Sequence, residues 1–371
     1  MTTDAPPVLL AVGTRKGLFL ARSDDDRRTW TVGPPQLPMQ EVSAIGIDTR
    51  DGGCRVLAGS MSWHWGPTVV HSDDLGETWS EPEEGAIKFP ESTDAALARV
   101  WQLRPAPASQ PGVVWAGTEP AALFRSDDNG EHFSLVEGLW DHPHRPSWEP
   151  GGGGQCLHTV VPHAEDPDQV LVAISAAGVY RTTDGGKSWD ASNAGICARF
   201  LPEGEQYPEF GHCVHKVSGH RGRPEQLFLQ NHGGVYRSDD GGASWSEIAD
   251  GLPSDFGFAM VTHPHRAGVA YVVPLVADVH RNPPDDRLQV WRTDDAGESW
   301  HQTSSGLPEE PVYSSVLRDA VCADDAESAG VYVGTRTGEV FASRDEGESW
   351  SSVVRHLPDV LCVRAATIPF G

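Results

Sequence analysis

The stretch Ser238-Asp239-Asp240-Gly241-Gly242-Ala243-Ser244-Trp245 decides how the chain is read, because its pattern returns six more times. The pattern is Ser or Thr, any residue, Asp, any residue, Gly, two more residues, then an aromatic. The other copies are SDDDRRTW ending at Trp30, SDDLGETW at Trp79, SDDNGEHF at Phe133, TTDGGKSW at Trp189, TDDAGESW at Trp300 and SRDEGESW at Trp350. Successive aromatics are 49, 54, 56, 56, 55 and 50 residues apart, and a regular period near fifty means stacked supersecondary units. Asp and Ser/Thr side chains can bond the N–H groups of a tight turn, Gly supplies a positive φ, and the aromatic has the size to plug one unit against the next.

Working outward, each motif follows two alternating apolar runs with the period of strands. RVLAGS (55–60), VVWAGT (113–118), QVLVAI (169–174), QLFLQN (226–231) and VYVGTR (331–336) are examples of the first; GVYRT (178–182), GVYRS (234–238) and GEVFAS (338–343) are examples of the second. A third run lies upstream. The order strand, strand, strand, motif, strand predicts the four-stranded antiparallel blade of a propeller, with the motif as the outer hairpin. Only two runs, VLLAVGT and GLFLARS, precede the first motif, whereas a lone run, DVLCVRAAT, follows the last. The fold expected is all-β: one seven-bladed domain over 1–371, closed by residues 360–368 joining the blade built from 8–33, so that no sheet edge stays open. In the first motif Arg27 replaces the glycine, which predicts a looser turn there.

The repeat is similar to that of BNR/Asp-box propeller proteins, a group that includes sialidases, xyloglucanases and Ycf48-like assembly factors, and the resemblance covers almost the whole chain. It implies that the motifs shape turns on the face opposite any active site. A sialidase likeness would further imply an arginine cluster, a Tyr–Glu pair and an Asp acid/base. The Arg-Ile-Pro signature is missing, seven blades replace six, and Tyr313 is the nearest tyrosine candidate. The acids Glu119, Glu203, Glu209, Asp255 and Asp278 form no evident pair of the kind glycosidases use.

Composition narrows the function. The 371 residues would suggest two or three domains, a prior that the repeat overrules. Gly 40 and Pro 29 make the chain too turn-rich for a helical bundle, and 13 Trp make it too aromatic for disorder. Twenty-eight basic against 53 acidic residues give a net charge of −25, which repels nucleic acid and anionic lipid. Neither is an expected partner. The six cysteines are scattered, which reads as reduced thiols, and the start of the chain has no secretory pattern, so a cytoplasmic location is expected. Only 4 of the basic residues are Lys; the Arg-, Ala- and Asp-rich usage resembles that of GC-rich bacteria of actinobacterial type.

Function is expected on the face opposite the motifs, around the central channel. Long loops run toward it near 82–98, 137–156, 190–212 and 276–287. Trp63, His64 and Trp65 sit in one short loop; Trp140, His142, His144, Trp148 and Gly151 to Gly154 sit in a long one, read as a flexible lid or a place where backbone approaches a ligand. Aligning QCLHTVVPH with HCVHKVSGH matches Cys156 to Cys213 and His158 to His215; Arg99, Arg318 and Arg364 are expected at equivalent depth, with Ser43 and Phe258 completing the ring.

Three readings of this ring stay open. Its side chains are satisfied by strand ends and buried water; or the arginines clamp a carboxylate or phosphate beside proton-moving histidines; or His158, His215 and His232 hold a divalent transition metal such as zinc with one open position. The leading expectation is a hydrolase- or lyase-type enzyme for a small anionic or sugar-like ligand. His158, His215 and His232 would be catalytic or metal-ligating, and Arg99, Arg318, Arg364, His64, Glu119 and Trp148 would bind substrate. The alternatives are a scaffold or assembly factor that docks a protein partner, and a sialidase-like glycosidase.

Overall fold

A computed structural model describes residues 6–152, 154–277 and 280–369. Seven antiparallel sheets form a ring, each starting with an inner strand at the axis. The inner strands are Val360–Thr367, Glu41–Asp48, Arg99–Pro105, Leu157–Pro162, Val214–His220, Gly257–Thr262 and Val321–Ala323, in blades 1 to 7. Six sheets have four strands; in blade 2 the fourth is reduced to a single bridge between His71 and Ser80. The ring closes as the sequence predicts: Val360–Thr367 pairs antiparallel with Val8–Thr14, from Val8 opposite Thr367 to Thr14 opposite Val360. Among the described residues no helix is long and apolar enough to cross a membrane.

The repeated motif makes the same bonds in every blade, except that in blade 3 the His132 ring takes the place of the hydroxyl. In blade 5 the Gly242 N–H donates to Ser238 Oγ (2.8 Å), the Ser244 N–H to Asp240 Oδ1 (2.9 Å) and the Ser244 hydroxyl to Asp240 Oδ2 (2.6 Å). Two consecutive residues are left-handed, Gly241 and Gly242 here (φ 69° and 90°), which is why glycine recurs. The turn expected to be loose is not. Arg27 takes the glycine's place at φ 61° and its N–H still donates to Ser23 Oγ (2.9 Å). Its side chain, 3% exposed, donates to Asp26 Oδ1 (2.8 Å) and the Ser328 carbonyl (2.7 Å), and pairs with Asp324 of blade 7 (3.2 Å). A buried ion pair across the ring seam holds the strained backbone in place.

The motif tryptophans fasten neighbouring blades. The indole N–H of Trp245 donates to the Ser192 carbonyl (2.9 Å), that of Trp300 to Ile248 (2.7 Å) and that of Trp350 to Thr303 (2.6 Å), in each case in the preceding blade. All three rings are buried. Replacing Trp245 by Ala removes this bond and a large core side chain, and we expect a loss of about 3–5 kcal/mol in denaturant unfolding. Ligand binding on the opposite face should not change.

The motif aspartates Asp25, Asp74, Asp128, Asp184, Asp240, Asp295 and Asp345 are all held below the ordinary carboxylate range. For Asp74 the hydroxyl and N–H of Thr78 are the main cause and bring the value to about 2. Groups depressed in the folded state stabilise it above their unfolded pKa of about 4 and lose that contribution as protons bind. The share of stability these carboxylates supply should be lost between about pH 4 and 2, so the fall in chemical-denaturation stability over that range should be less steep in Asp74→Asn.

Candidate functional site at the upper mouth of the channel

The inner strands share one irregularity. Register shifts place a bulged residue near the start of the strand in blades 1 to 6: Leu361, Ser43, Trp101, His158, His215 and Phe258 with Ala259. A bulge turns a side chain away from the regular alternation. Three of these side chains reach the next blade at the residue just before its own bulge. Ser43 Oγ donates to the Val100 carbonyl (2.8 Å), His158 Nε2 meets the Val214 carbonyl (3.0 Å), and His215 Nδ1 meets the Gly257 carbonyl (2.6 Å).

Those bonds set the chemistry of the two histidines. Burial, reinforced by Arg318, holds both rings well below the usual pKa, so both are neutral. A carbonyl only accepts, so His158 carries its proton on Nε2, and its Nδ1 accepts from the Thr159 hydroxyl (3.0 Å). Both nitrogens of His158 are used. It is a staple between blades 4 and 5, which removes it from the ligand set expected from sequence. His215 carries its proton on Nδ1, leaving the Nε2 lone pair facing Cys213 Sγ at 3.7 Å. His232 completes the group: one ligand atom each from Cys213, His215 and His232 lie within 4.8 Å of one another. Phe256 packs edge-on to both imidazoles, with ring centroids 5.4 and 5.1 Å away.

Cationic side chains surround this cluster. The Arg318 guanidinium sits 5.8 Å from the Trp101 ring and 5.6 Å from Phe258, with no ion pair among the described residues, and Arg281 lies 5.4 Å from Phe258. Arg99 is 5.3 Å from Trp101 and pairs with Glu41 (2.9 Å). Glu119 accepts from the Trp101 indole N–H (3.0 Å). The geometry therefore joins Arg99, Arg318 and Glu119 around Trp101, and His215 with His232. It separates Arg364, expected at the same depth: this residue lies further down the channel, where Asp319 Oδ1 binds both Arg364 Nη2 (2.6 Å) and Lys216 Nζ (2.6 Å). Those two cations hold the Asp319 carboxyl far below its usual range against its burial.

Two further expectations change. Trp148 is buried among apolar side chains with its N–H on the Tyr180 hydroxyl (2.8 Å), so it cannot contact substrate. The first part of its loop is packed in place, since His142 meets the Trp189 carbonyl (3.1 Å) and His144 stacks on Phe210 (4.2 Å). Gly154, at φ 89°, lies where a Cβ would collide with the Glu119 carboxylate, so backbone there approaches a side chain of the protein itself. His64 is exposed between Trp63 and Trp65 and makes no side-chain bond among the described residues. Gly153 and Asp278 lie outside the described residues. Sequence reading missed Cys213 as a neighbour of His215 and His232, Trp101, Arg281 and the Lys216–Asp319 pair; the repeated Cys-x-His of blades 4 and 5 was the available signal for the first.

The fold and site define the class, a seven-bladed β-propeller with a cationic, His-containing channel mouth. No protein-family model matches the chain. Residues over a 181-residue span are 30% identical to a "probable oligoxyloglucan-reducing end-specific xyloglucanase" of Neosartorya fischeri, covering 48% of this chain and 19% of that protein. The chain thus spans about a fifth of that relative's length. Among solved structures, an ancestral GH74 enzyme superposes with a TM-score of 0.56 at 18% identity, covering 85% of this chain and 38% of that one. A YCF48 bound to a D1 peptide gives 0.49 at 13% identity, over 84% and 82%. The GH74 likeness extends to the fold.

The Lys216–Asp319–Arg364 group yields a test. Asp319→Ala leaves two cations facing each other in the channel and should cost about 3–5 kcal/mol, read as a lowered midpoint in urea unfolding. An unchanged midpoint would show that channel water alone satisfies both cations.

Proposed function

We propose that the upper channel mouth is the active site of a hydrolase- or lyase-type enzyme for a small anionic substrate. The observation that carries this is Arg318, a guanidinium without a counter-ion among the described residues, between Trp101 and Phe258 and beside the Cys213–His215–His232 cluster. Arg318 would fork onto a substrate carboxylate or phosphate, with Arg99 and Arg281 adding charge and the two aromatic rings providing apolar walls.

The cluster fits a divalent transition metal, zinc above all. His215 is neutral, its tautomer is fixed by the Gly257 carbonyl, and its Nε2 lone pair faces the Cys213 thiol, whose proton a metal would displace. A group with so low a proton affinity is a weak general base but an available ligand. Two imidazoles and a thiol leave one position open, although the ligand atoms must close by about 1 Å to reach tetrahedral separations. When bound, such an ion would activate water or polarise a substrate oxygen. A sialidase-like glycosidase is less well supported, since Glu41 and Glu119 at the mouth are engaged by Arg99 and Trp101. The scaffold reading draws on Trp63 and Trp65, 91% and 90% exposed, as a docking patch for a protein partner.

Protein purified without a tag should carry about one equivalent of zinc per chain by elemental analysis, lost in Cys213→Ala and His215→Ala. Calorimetry should show a small phosphorylated or carboxylated ligand binding about tenfold or more weakly to Arg318→Gln. Metal-free wild-type protein together with unaltered binding of a small carboxylate in Arg318→Gln would overturn the proposal, and loss of a partner in Trp63→Ala/Trp65→Ala would then favour the scaffold.

A further inference from the structure

The opposite end of the channel holds a second cationic site. A cavity of about 60 Å³ opens on the motif face where the inner strands of blades 3, 4 and 5 end. Arg104, Arg181 and Arg221 line it together with His163 and His220, and no carboxylate does. This is unusual in a chain with 53 acidic and 28 basic residues, in which nearby arginines are neutralised: Arg50 by Asp48, Arg55 by Asp73, Arg237 by Asp239. Arg104 and Arg221 make no side-chain hydrogen bond or ion pair among the described residues, and Arg181 has only the Gly241 carbonyl at 3.4 Å.

From this we infer that the motif-face cavity between blades 3 and 5 is a binding site for a phosphate-type oxoanion, with Arg104 at its base and Arg181 and Arg221 at its sides. Three guanidiniums lining one cavity match an anion carrying two charges and several acceptor oxygens better than a monocarboxylate, which a single planar fork satisfies. The electrostatics of Arg104 point the same way. Burial first, then the repulsion of Arg221 and Arg364, brings its pKa down to about 10, and an anion in the cavity would remove that penalty. The site shares no residue with the upper mouth, so it is independent of the function proposed there.

The shared chemistry is the phosphate group, whether free or at the end of a small phosphomonoester. Isothermal calorimetry at low ionic strength with inorganic phosphate, glycerol phosphate and acetate separates these. We expect inorganic phosphate to bind the wild-type protein, acetate to bind about tenfold or more weakly, and Arg104→Gln to lower phosphate affinity at least about tenfold. Arg221→Gln alters an exposed residue, cannot fail for want of folding, and should weaken binding in the same direction. Because the upper mouth is itself proposed to take anions, the phosphate titration is repeated in Arg318→Gln: the event that belongs to the motif-face cavity should persist in that variant and be lost when Arg104→Gln is added to it. Competition by glycerol phosphate would identify an esterified ligand as able to enter; its failure to compete would assign the cavity to the free ion. Phosphate binding that is absent from wild type, or unchanged in Arg104→Gln/Arg221→Gln, overturns the inference.

Discussion

A propeller must join blades whose inner edges cannot all form continuous ladders with one another around an axis, and in this protein side chains bridge the gap. The inner strand bulges near its start, and the bulged side chain donates to the main-chain carbonyl just ahead of the next blade's bulge: Ser43 to Val100, His158 to Val214, His215 to Gly257. Each bond ties one blade's bulge to the main chain of the next. The same device determines what chemistry the channel offers. A histidine whose second nitrogen also finds a partner, as His158 does in Thr159, is spent on structure, whereas His215 keeps a lone pair directed at Cys213 and His232.

Charge is distributed with a similar economy. Aspartates gather in the outer turns, where hydroxyl and N–H donors of the same turn stabilise their ionised form. Along the axis the balance reverses, with Arg318, Arg281 and Arg99 above, Lys216 and Arg364 in the middle, and Arg104 with Arg221 below. Asp319 neutralises only the middle group. The two ends therefore present cationic charge inside a protein whose long-range field is negative, which favours small anions that can enter the channel over polyanions that must approach the outer surface.

Much of the fold was legible in the chain itself because its determinants are local. The Ser–Asp–Gly–Trp spacing encodes a hairpin with two left-handed residues, the period near fifty encodes one blade, and the unpaired runs at the two ends encode ring closure. Register within the repeat also indicated that Cys-x-His recurs at the axis. What the sequence could not determine was the use of each side chain there. His158 and His215 stand at equivalent positions and both reach the next blade, but the second nitrogen of the first meets the Thr159 hydroxyl and that of the second meets the Cys213 thiol beside His232. Arg27 in a glycine's position reads as a defect until Asp324, 297 residues later, is found against it. Arg364 reads as a substrate clamp until Asp319 and Lys216 are placed beside it. These outcomes depend on partners from separate blades, and no local pattern carries that information: the distance and dielectric between two charges, or the acceptor opposite one ring nitrogen, exist only once the ring has closed.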